Sequence, residues 1–426
     1  MTAFTRRSLG TLALTATAAT AALTACGGGS GSGSSDGSTE LSLWMPTQED
    51  AQGEAISALI DAFEKANPGI TVTLEQRSVD DHKTAMRQAA GTDLVPDIYW
   101  YWEGSGLGGE LIDVGMSKDL SDVYAEKGWE ERFTPASLAG ITQYGGFHGV
   151  PWTLQGEGLY YSKELFEQAG VTEEPTTYEE LVGAAEKLLA AGITPIEFGG
   201  TVNWHVMRLL DSLLETTCGA ELADSLNTGD GDWSAEPAVT EAFTELKTWG
   251  DTYFNEGYMG ISNDDSSQLF FSGQAAMALE GTWFNASVVA NGMDPATLGV
   301  FPFPTGTDRL YGFGEAFYVS ETTEKIDAAV AFLDFLTSAE GQEIAGTAWG
   351  AISVNKDVPV DESNPLNTRW AEIFEASDAG MYTNNDQNFS TAATTEFWRI
   401  QNSVLTGEIA PGDAGAEFQA FRAQNG

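Results

Sequence analysis

Between Leu41 and Trp102 the hydrophobic period alternates between strand-like and helix-like, and no other feature limits the fold as tightly. Leu41-Ser42-Leu43-Trp44 reads as a short strand. A helix is expected over Gly53 to Ala66, where Ile56, Leu59, Ile60 and Phe63 fall at i, i+3, i+4 and i+7. Asn67-Pro68-Gly69 stops it. Ile70, Val72 and Leu74 then alternate as a half-buried strand, a helical stretch runs near His82 to Ala90, and Asp97 to Trp102 returns as a strand. This order predicts a mostly parallel sheet flanked by helical crossovers, an α/β fold. A second unit opens after Val150-Pro151. Its Thr177-Tyr178-Glu179-Glu180 has the form of a capping box for a helix through Leu189. Another helix is expected over Lys325 to Thr337, with Ile326, Ala329, Leu333 and Leu336 on one face.

The N-terminus bears on compartment. Arg6-Arg7 precedes an uncharged run from Leu9 to Leu23, too short to span a bilayer, which needs about 20 apolar residues. The layout is that of an export signal over residues 1–25. Leu23-Thr24-Ala25-Cys26 resembles a bacterial lipobox, which implies cleavage before Cys26 and lipidation of its thiol. The twin arginines also resemble a Tat signal, loosely, because Gly10 follows Leu9. Residues 26–39 form a Gly/Ser-rich linker with a single Asp36, a flexible tether of about 20 Å. The expectation is a globular protein anchored by lipid on the extracellular face of the membrane.

Cys218 is the sole cysteine beyond Cys26, so no internal disulfide forms. His82, His148 and His205 are not spaced like metal ligands, and Asp230-Gly231-Asp232 fails the calcium-loop pattern. No metal and no cofactor is expected. Without residues 1–25, Lys and Arg fall from 19 to 17 against 63 acids, a net charge of −46. Such a surface repels nucleic acid and disfavours phosphate or carboxylate ligands.

Several stretches carry a family resemblance. They are Phe63-Glu64-Lys65-Ala66-Asn67-Pro68-Gly69-Ile70, Val95-Pro96-Asp97-Ile98-Tyr99, Gly149-Val150-Pro151 and Leu159-Tyr160-Tyr161-Ser162-Lys163-Glu164-Leu165-Phe166. Further along come Phe271-Ser272-Gly273-Gln274-Ala275-Ala276-Met277, Gly281-Thr282-Trp283, and Phe332-Leu333-Asp334-Phe335-Leu336 followed by Ser338-Ala339-Glu340-Gly341-Gln342. In this order and spacing, the chain resembles the extracellular solute-binding proteins of carbohydrate ABC importers, the maltose-binding-protein-like group. The tail beyond Asn355 matches poorly. The resemblance implies a type II periplasmic-binding-protein fold: lobe 1 from residues 40–150 and 315–357, lobe 2 from 151–314 and 358–426, joined by a hinge. It also implies a monomeric binding protein, not an enzyme, that closes on an oligosaccharide and passes it to importer subunits in the membrane.

Sugar rings present apolar faces and a rim of hydroxyls, so their capture calls for flat aromatic rings beside amides and carboxylates. Twelve tryptophans make the aromatic side plausible, since many fall where strands give way to loops. From the first lobe the candidates are Trp44, Gln48, Glu49, Tyr101, Trp102 and Glu103. From the second come Trp152, Gln155, Glu157, Asn203 and Trp204, the latter two read as a loop after the strand near Ile196. Trp283 lies in the Gly-Thr-Trp turn, whose counterpart in the family commonly stacks on sugar. Glu315 at the return crossing, Trp349 beside Gly350, and Trp398 on the last helix complete the set. Their number suggests room for two to four sugar units.

Gly104-Ser105-Gly106-Leu107-Gly108-Gly109 contains a GxGxxG string. It follows the third strand and not the first, and a diphosphate would meet an acidic surface, so it reads as a close-packed loop and not a dinucleotide site. Two other readings stay open on sequence: a polyamine or other cation held by carboxylates and indoles, and a glycoside hydrolase built on a carboxylate pair.

Overall fold

In the computed structural model, which describes residues 38–425 apart from 49, 93, 378 and 379, the first strand-helix alternation appears as expected. Strand β1 (Thr39–Pro46) buries Leu41, Leu43 and Met45, and pairs in parallel with β2 (Ile70–Arg77) and β3 (Ile98–Trp102). Helix Asp50–Ala66 buries Ile56, Leu59 and Phe63, and Phe63 meets the Phe332 ring edge-on at 5.0 Å. Full burial of each such side chain stabilises by roughly 1.5–3 kcal/mol. The helix stops because the Asn67 side chain donates to the Phe63 carbonyl (2.9 Å) and Gly69 takes φ 110°, a conformation side-chain-bearing residues avoid. Ser78 caps the next helix, Val79–Ala89, accepting from the Asp81 N–H.

Strand β4 (Gly149–Ser162) is buried along all but its last residue. Its first half, from Gly149 to Glu157, lies against β8 (Leu310–Val319), with an irregularity between Pro151 and Thr153. Its second half pairs with β6 (Ala275–Gly281) and β7 (Leu298–Pro302). Strand β5 (Thr194–Glu197) lies on β6, and β9 (Met381–Tyr382) on β8. The sheet runs β2-β1-β3-β8-β4-β6-β5, with β7 and β9 off this path. It is mixed where a mostly parallel one was expected. The parallel pairings are β1–β2, β1–β3, β5–β6 and β8–β9. β8 brings the chain back from the far half and so runs antiparallel to both β3 and β4.

Strand β4 runs through two separate apolar cores, and β8 adds Phe317 and Val319 to the first of them. One gathers Leu41, Phe63, Trp100, Val150, Trp152, Phe317 and Leu333; the other gathers Leu159, Ile196, Leu210, Phe243, Phe301 and Phe397. This is the two-lobed α/β architecture. Thr177 caps helix Tyr178–Ala190 by accepting from the Glu180 N–H, but the Glu180 carboxylate turns to Thr176 instead of closing the box on Thr177. Near the C-terminus the segment 384–389 packs on the glycine loop. Gly106 N–H donates to the Gln387 carbonyl at 2.6 Å, and a Cβ on Gly104 or Gly106 would overlap the backbone of Gln387 or Phe389. The glycines are there for close approach. The stretch expected to be an export signal, Cys26, the expected tether up to residue 37, and Glu49 lie outside the described residues. No helix among the described residues is long and apolar enough to cross a membrane.

Candidate functional site

In open α/β sheets ligands sit beyond the carboxyl ends of the strands, and both halves of this molecule carry indoles there. Seven of the twelve tryptophans (Trp100, Trp129, Trp152, Trp233, Trp249, Trp349 and Trp370) are buried. Trp44, Trp102, Trp204, Trp283 and Trp398 are only half-buried, so these five keep part of a ring free. A buried indole has no face left for a ligand.

The densest cluster forms around a residue that the sequence reading passed over, Arg208. Helix Asn203–Thr228 starts with Asn203 and Trp204, where a loop was expected, and one turn later brings Arg208 onto the same face as Trp204. The Arg208 guanidinium lies 4.5 Å from the centre of the Trp204 ring and 4.8 Å from that of Trp283, between the two. Its Nε is 2.8 Å from Glu157 Oε2 on β4, and its Nη1 is 2.8 Å from Glu280 Oε2 on β6. Trp283 Nε1 donates to the same Glu280 oxygen at 3.1 Å. Three predicted residues, Glu157, Trp204 and Trp283, thus meet at one cation. Burial pushes Glu157 up to about 7 despite the pull of Arg208. Asp211, one turn beyond Arg208, is also raised by burial, while Tyr311 Oη and the Asn385 N–H donate to its carboxylate at 2.9 and 3.0 Å.

A chain of hydrogen bonds connects the turn bearing Trp283 with the end of β1. The Thr282 hydroxyl donates to Gln155 Oε1; Gln155 Nε2 donates to the Trp349 carbonyl at 2.6 Å; Trp349 Nε1 donates to Gln48 Oε1 at 2.6 Å. Gln155 also reaches Glu315 Oε2 at 3.3 Å, and the Thr153 hydroxyl donates to that same oxygen. Burial lifts Glu315 to about 7, the two donors restraining the rise. Glu103, pressed against Gly140 and Gly314, is lifted to about 8 by burial and by the nearby Glu315. It borders a cavity of about 340 Å³ lined also by Gly104, Gln143, Phe313, Thr383 and Asn388. That volume is at the low end of ligand pockets, roughly 300–1,000 Å³. Phe313 in turn touches the Trp283 ring at 5.8 Å.

In the first half, the Arg77 guanidinium covers the Trp44 ring at 4.0 Å, and Lys83 Nζ lies 4.6 Å from the centre of the Trp102 ring. Lys83 also pairs with Asp386 at 3.6 Å, joining helix Val79–Ala89 to the segment that packs on the glycine loop.

Other predicted residues are placed differently. Tyr101 is buried in a core with Leu107 and Leu111, its ring edge against Trp102. Trp152 packs on Phe317 and Trp349 inside the first core, and the Trp349 ring is spent on that contact while its N–H and carbonyl serve the hydrogen-bond chain. Strand alternation could not show which side of β3 or β4 would be covered. Asn203 is occupied by Asn402 and Gln401 of helix Thr391–Thr406. Trp398 stands on that helix, the penultimate and not the last, with its N–H on the Met207 sulfur at 3.1 Å. Arg208 left one trace in the sequence, its i+4 spacing from Trp204. Glu280 left another, standing just before Gly281-Thr282-Trp283.

Comparison with known proteins places the chain in a family. A multiple sugar-binding protein of Streptococcus mutans is 24% identical over 378 residues, covering 84% of this chain and 86% of that protein. An uncharacterized ABC transporter extracellular-binding protein of Pyrococcus horikoshii is 22% identical over 348 residues, covering 80% and 78%. Among solved structures, a chitin oligosaccharide binding protein superposes with a TM-score of 0.82 at 25% identity, over 91% of this chain and 98% of that one. Residues 47–343 match the model of the bacterial extracellular solute-binding protein, and the chain belongs to that family.

Proposed function

We propose that this protein is the extracellular receptor of an ABC-type sugar importer, one that captures a neutral oligosaccharide of two to four units and delivers it unaltered to the membrane subunits. The observation that carries the reading is the Trp204–Arg208–Trp283 stack, flanked by Glu157 and Glu280. Half-buried indoles offer flat apolar surfaces to sugar faces, and carboxylates with a spare lone pair accept from ring hydroxyls. Glu157, Trp204 and Trp283 act from lobe 2, Trp44, Gln48 and Trp102 from lobe 1. Glu103 also acts from lobe 1, and Glu315 from the return crossing. A cationic ligand fits this platform poorly, because Arg208 already holds the space between the indoles and both nearby carboxylates.

The lobes are 40–150 with 315–357 and 151–314 with 358–426. Support comes from the two cores, since β4 leaves the first at Trp152 and enters the second at Leu159. Closure about β4 and β8 favours the liganded form because only there do both lobes touch the sugar. Cys26 carries the lipid that holds the monomer at the cell surface.

The test is a thermal-shift panel of maltotriose, xylotriose, raffinose, chitotriose, their monosaccharides and spermidine. A true ligand at about 100 times its Kd adds about 2.7 kcal/mol. Stabilisation by a trisaccharide, with no new reducing ends on incubation, is expected. A response to spermidine alone, or turnover of the sugar, refutes the reading.

A further inference from the structure

Close to Arg208 lie buried polar atoms that find no hydrogen-bond partner within 3.5 Å among the described residues: both carboxylate oxygens of Glu197, Nε2 of His205, and Oε1 of Glu280. All three side chains are at most 1% exposed. Glu197 ends β5 opposite Ala278 of β6, so Glu280, two residues further along, projects on the same face. One coordinating atom from each of Glu197, His205 and Glu280 lies within 4.8 Å of the others. That spacing invites a metal, but the imidazole is in the wrong tautomer. The Gly199 N–H donates to His205 Nδ1 at 3.2 Å, which leaves the proton of the neutral ring on Nε2. A metal would need that lone pair, and a ligating histidine donates its other N–H instead of accepting. Burial and the nearby Arg208 keep His205 neutral.

Polar atoms of these three side chains lie within 4.8 Å of one another, and a proton on one carboxyl would give the cluster a further donor. Glu280 Oε2 is already taken by Arg208 and Trp283, so Oε1 needs a donor. His205 Nε2–H is one candidate donor, and a protonated Glu197 is the other. The charged and titratable groups around Glu197 are Glu280 on β6, His205 and Arg208 on helix Asn203–Thr228, and Glu157 on β4 beyond Arg208. Ser266 of helix Asn263–Phe271 adds a hydroxyl. Three carboxylates thus share one cation. Burial, and then repulsion from Glu280, lifts Glu197 to about 8.

We propose that Glu197 is a positioning residue held as a neutral carboxylic acid, whose O–H, with His205 Nε2–H, braces Glu280 and so fixes the Trp283 indole and the Arg208 guanidinium for the ligand. The inference rests on the sugar-receptor reading of that stack. Ionising Glu197 replaces a donor with a second uncompensated anion and loosens Glu280. Apparent affinity then follows the protonated fraction: full at neutral pH, and about tenfold weaker by pH 9. The ligand-free fold responds in a different window. A carboxyl raised above its unfolded value of about 4.5 costs stability as pH climbs from there to about 8, and no further above that.

The test compares wild type with Glu197→Gln, which copies the protonated acid, and Glu197→Ala. Calorimetry uses the tightest-binding sugar of the panel between pH 6.5 and 9.5, and urea unfolding without sugar covers pH 4.5 to 8. E197Q is expected to match wild-type affinity within about twofold at pH 6.5 and to lose the alkaline decline; E197A is weak throughout. Wild type is expected to lose more stability than E197Q between pH 4.5 and 8. A wild-type alkaline slope in E197Q, or E197Q as weak as E197A at pH 6.5, overturns the proposal. Trp283→Ala separates the two claims. If it abolishes binding while E197Q keeps the slope, only the role of Glu197 falls; if it leaves affinity intact, the stack is not the sugar site and both fall.

Discussion

Replacing Arg208 with leucine tests the electrostatics of the stack most directly. Arg208 is 6% exposed, and its guanidinium is paired at 2.8 Å with both Glu157 and Glu280. Leucine keeps much of the volume and removes the charge. Two buried carboxylates then lose their cation, and breaking a buried pair by removing one partner costs about 3–5 kcal/mol. The loss depends on pH in a definite direction. Arg208 holds Glu157 down, yet burial still leaves it at about 7. Without Arg208 it rises further, so in the variant Glu157 keeps costing stability above pH 7, where in the wild type its own contribution has levelled off. Below pH 6 Glu157 is protonated in both folded proteins and adds little to the difference. The gap should widen by about 1.4 kcal/mol for each unit by which Glu157 is displaced. Urea unfolding of both proteins at pH 5.5 and 8.5 measures it, and Arg208→Leu/Glu157→Gln should recover the pH-dependent part. A loss below about 1 kcal/mol, or one equal at both pH values, would refute the argument.

Trp283→Ala should weaken sugar binding at least tenfold, about 1.4 kcal/mol, with the fold retained; unchanged calorimetric affinity removes Trp283 from the site. Gly106→Ala forces a Cβ into the Phe389 carbonyl, and overpacking of this kind costs about 1–3 kcal/mol; an unfolding midpoint equal to wild type contradicts the close-approach role. Cys26→Ala should shift the protein from the membrane fraction to the medium, and retention on membranes rules out the lipid anchor.

The sequence by itself determined the local elements and the family. Leu41 and Leu43, the stripe Ile56–Leu59–Phe63, and the Asn67-Pro68-Gly69 stop defined the first strand-helix-strand unit, because periodicity and turn chemistry act within a few residues. It also marked Trp204, Trp283 and Glu157. It could not show that they meet. The face of β4 that is covered, the core burial of Trp152 and Tyr101, and the sense in which β8 returns are settled by pairing between segments more than 100 residues apart. Arg208 became the centre of the site only when β4, β6 and helix Asn203–Thr228 brought two carboxylates and two indoles around it. A buried charge is tolerated only where the fold supplies its partners, and partners so distant in the chain are assigned by packing, not by spacing.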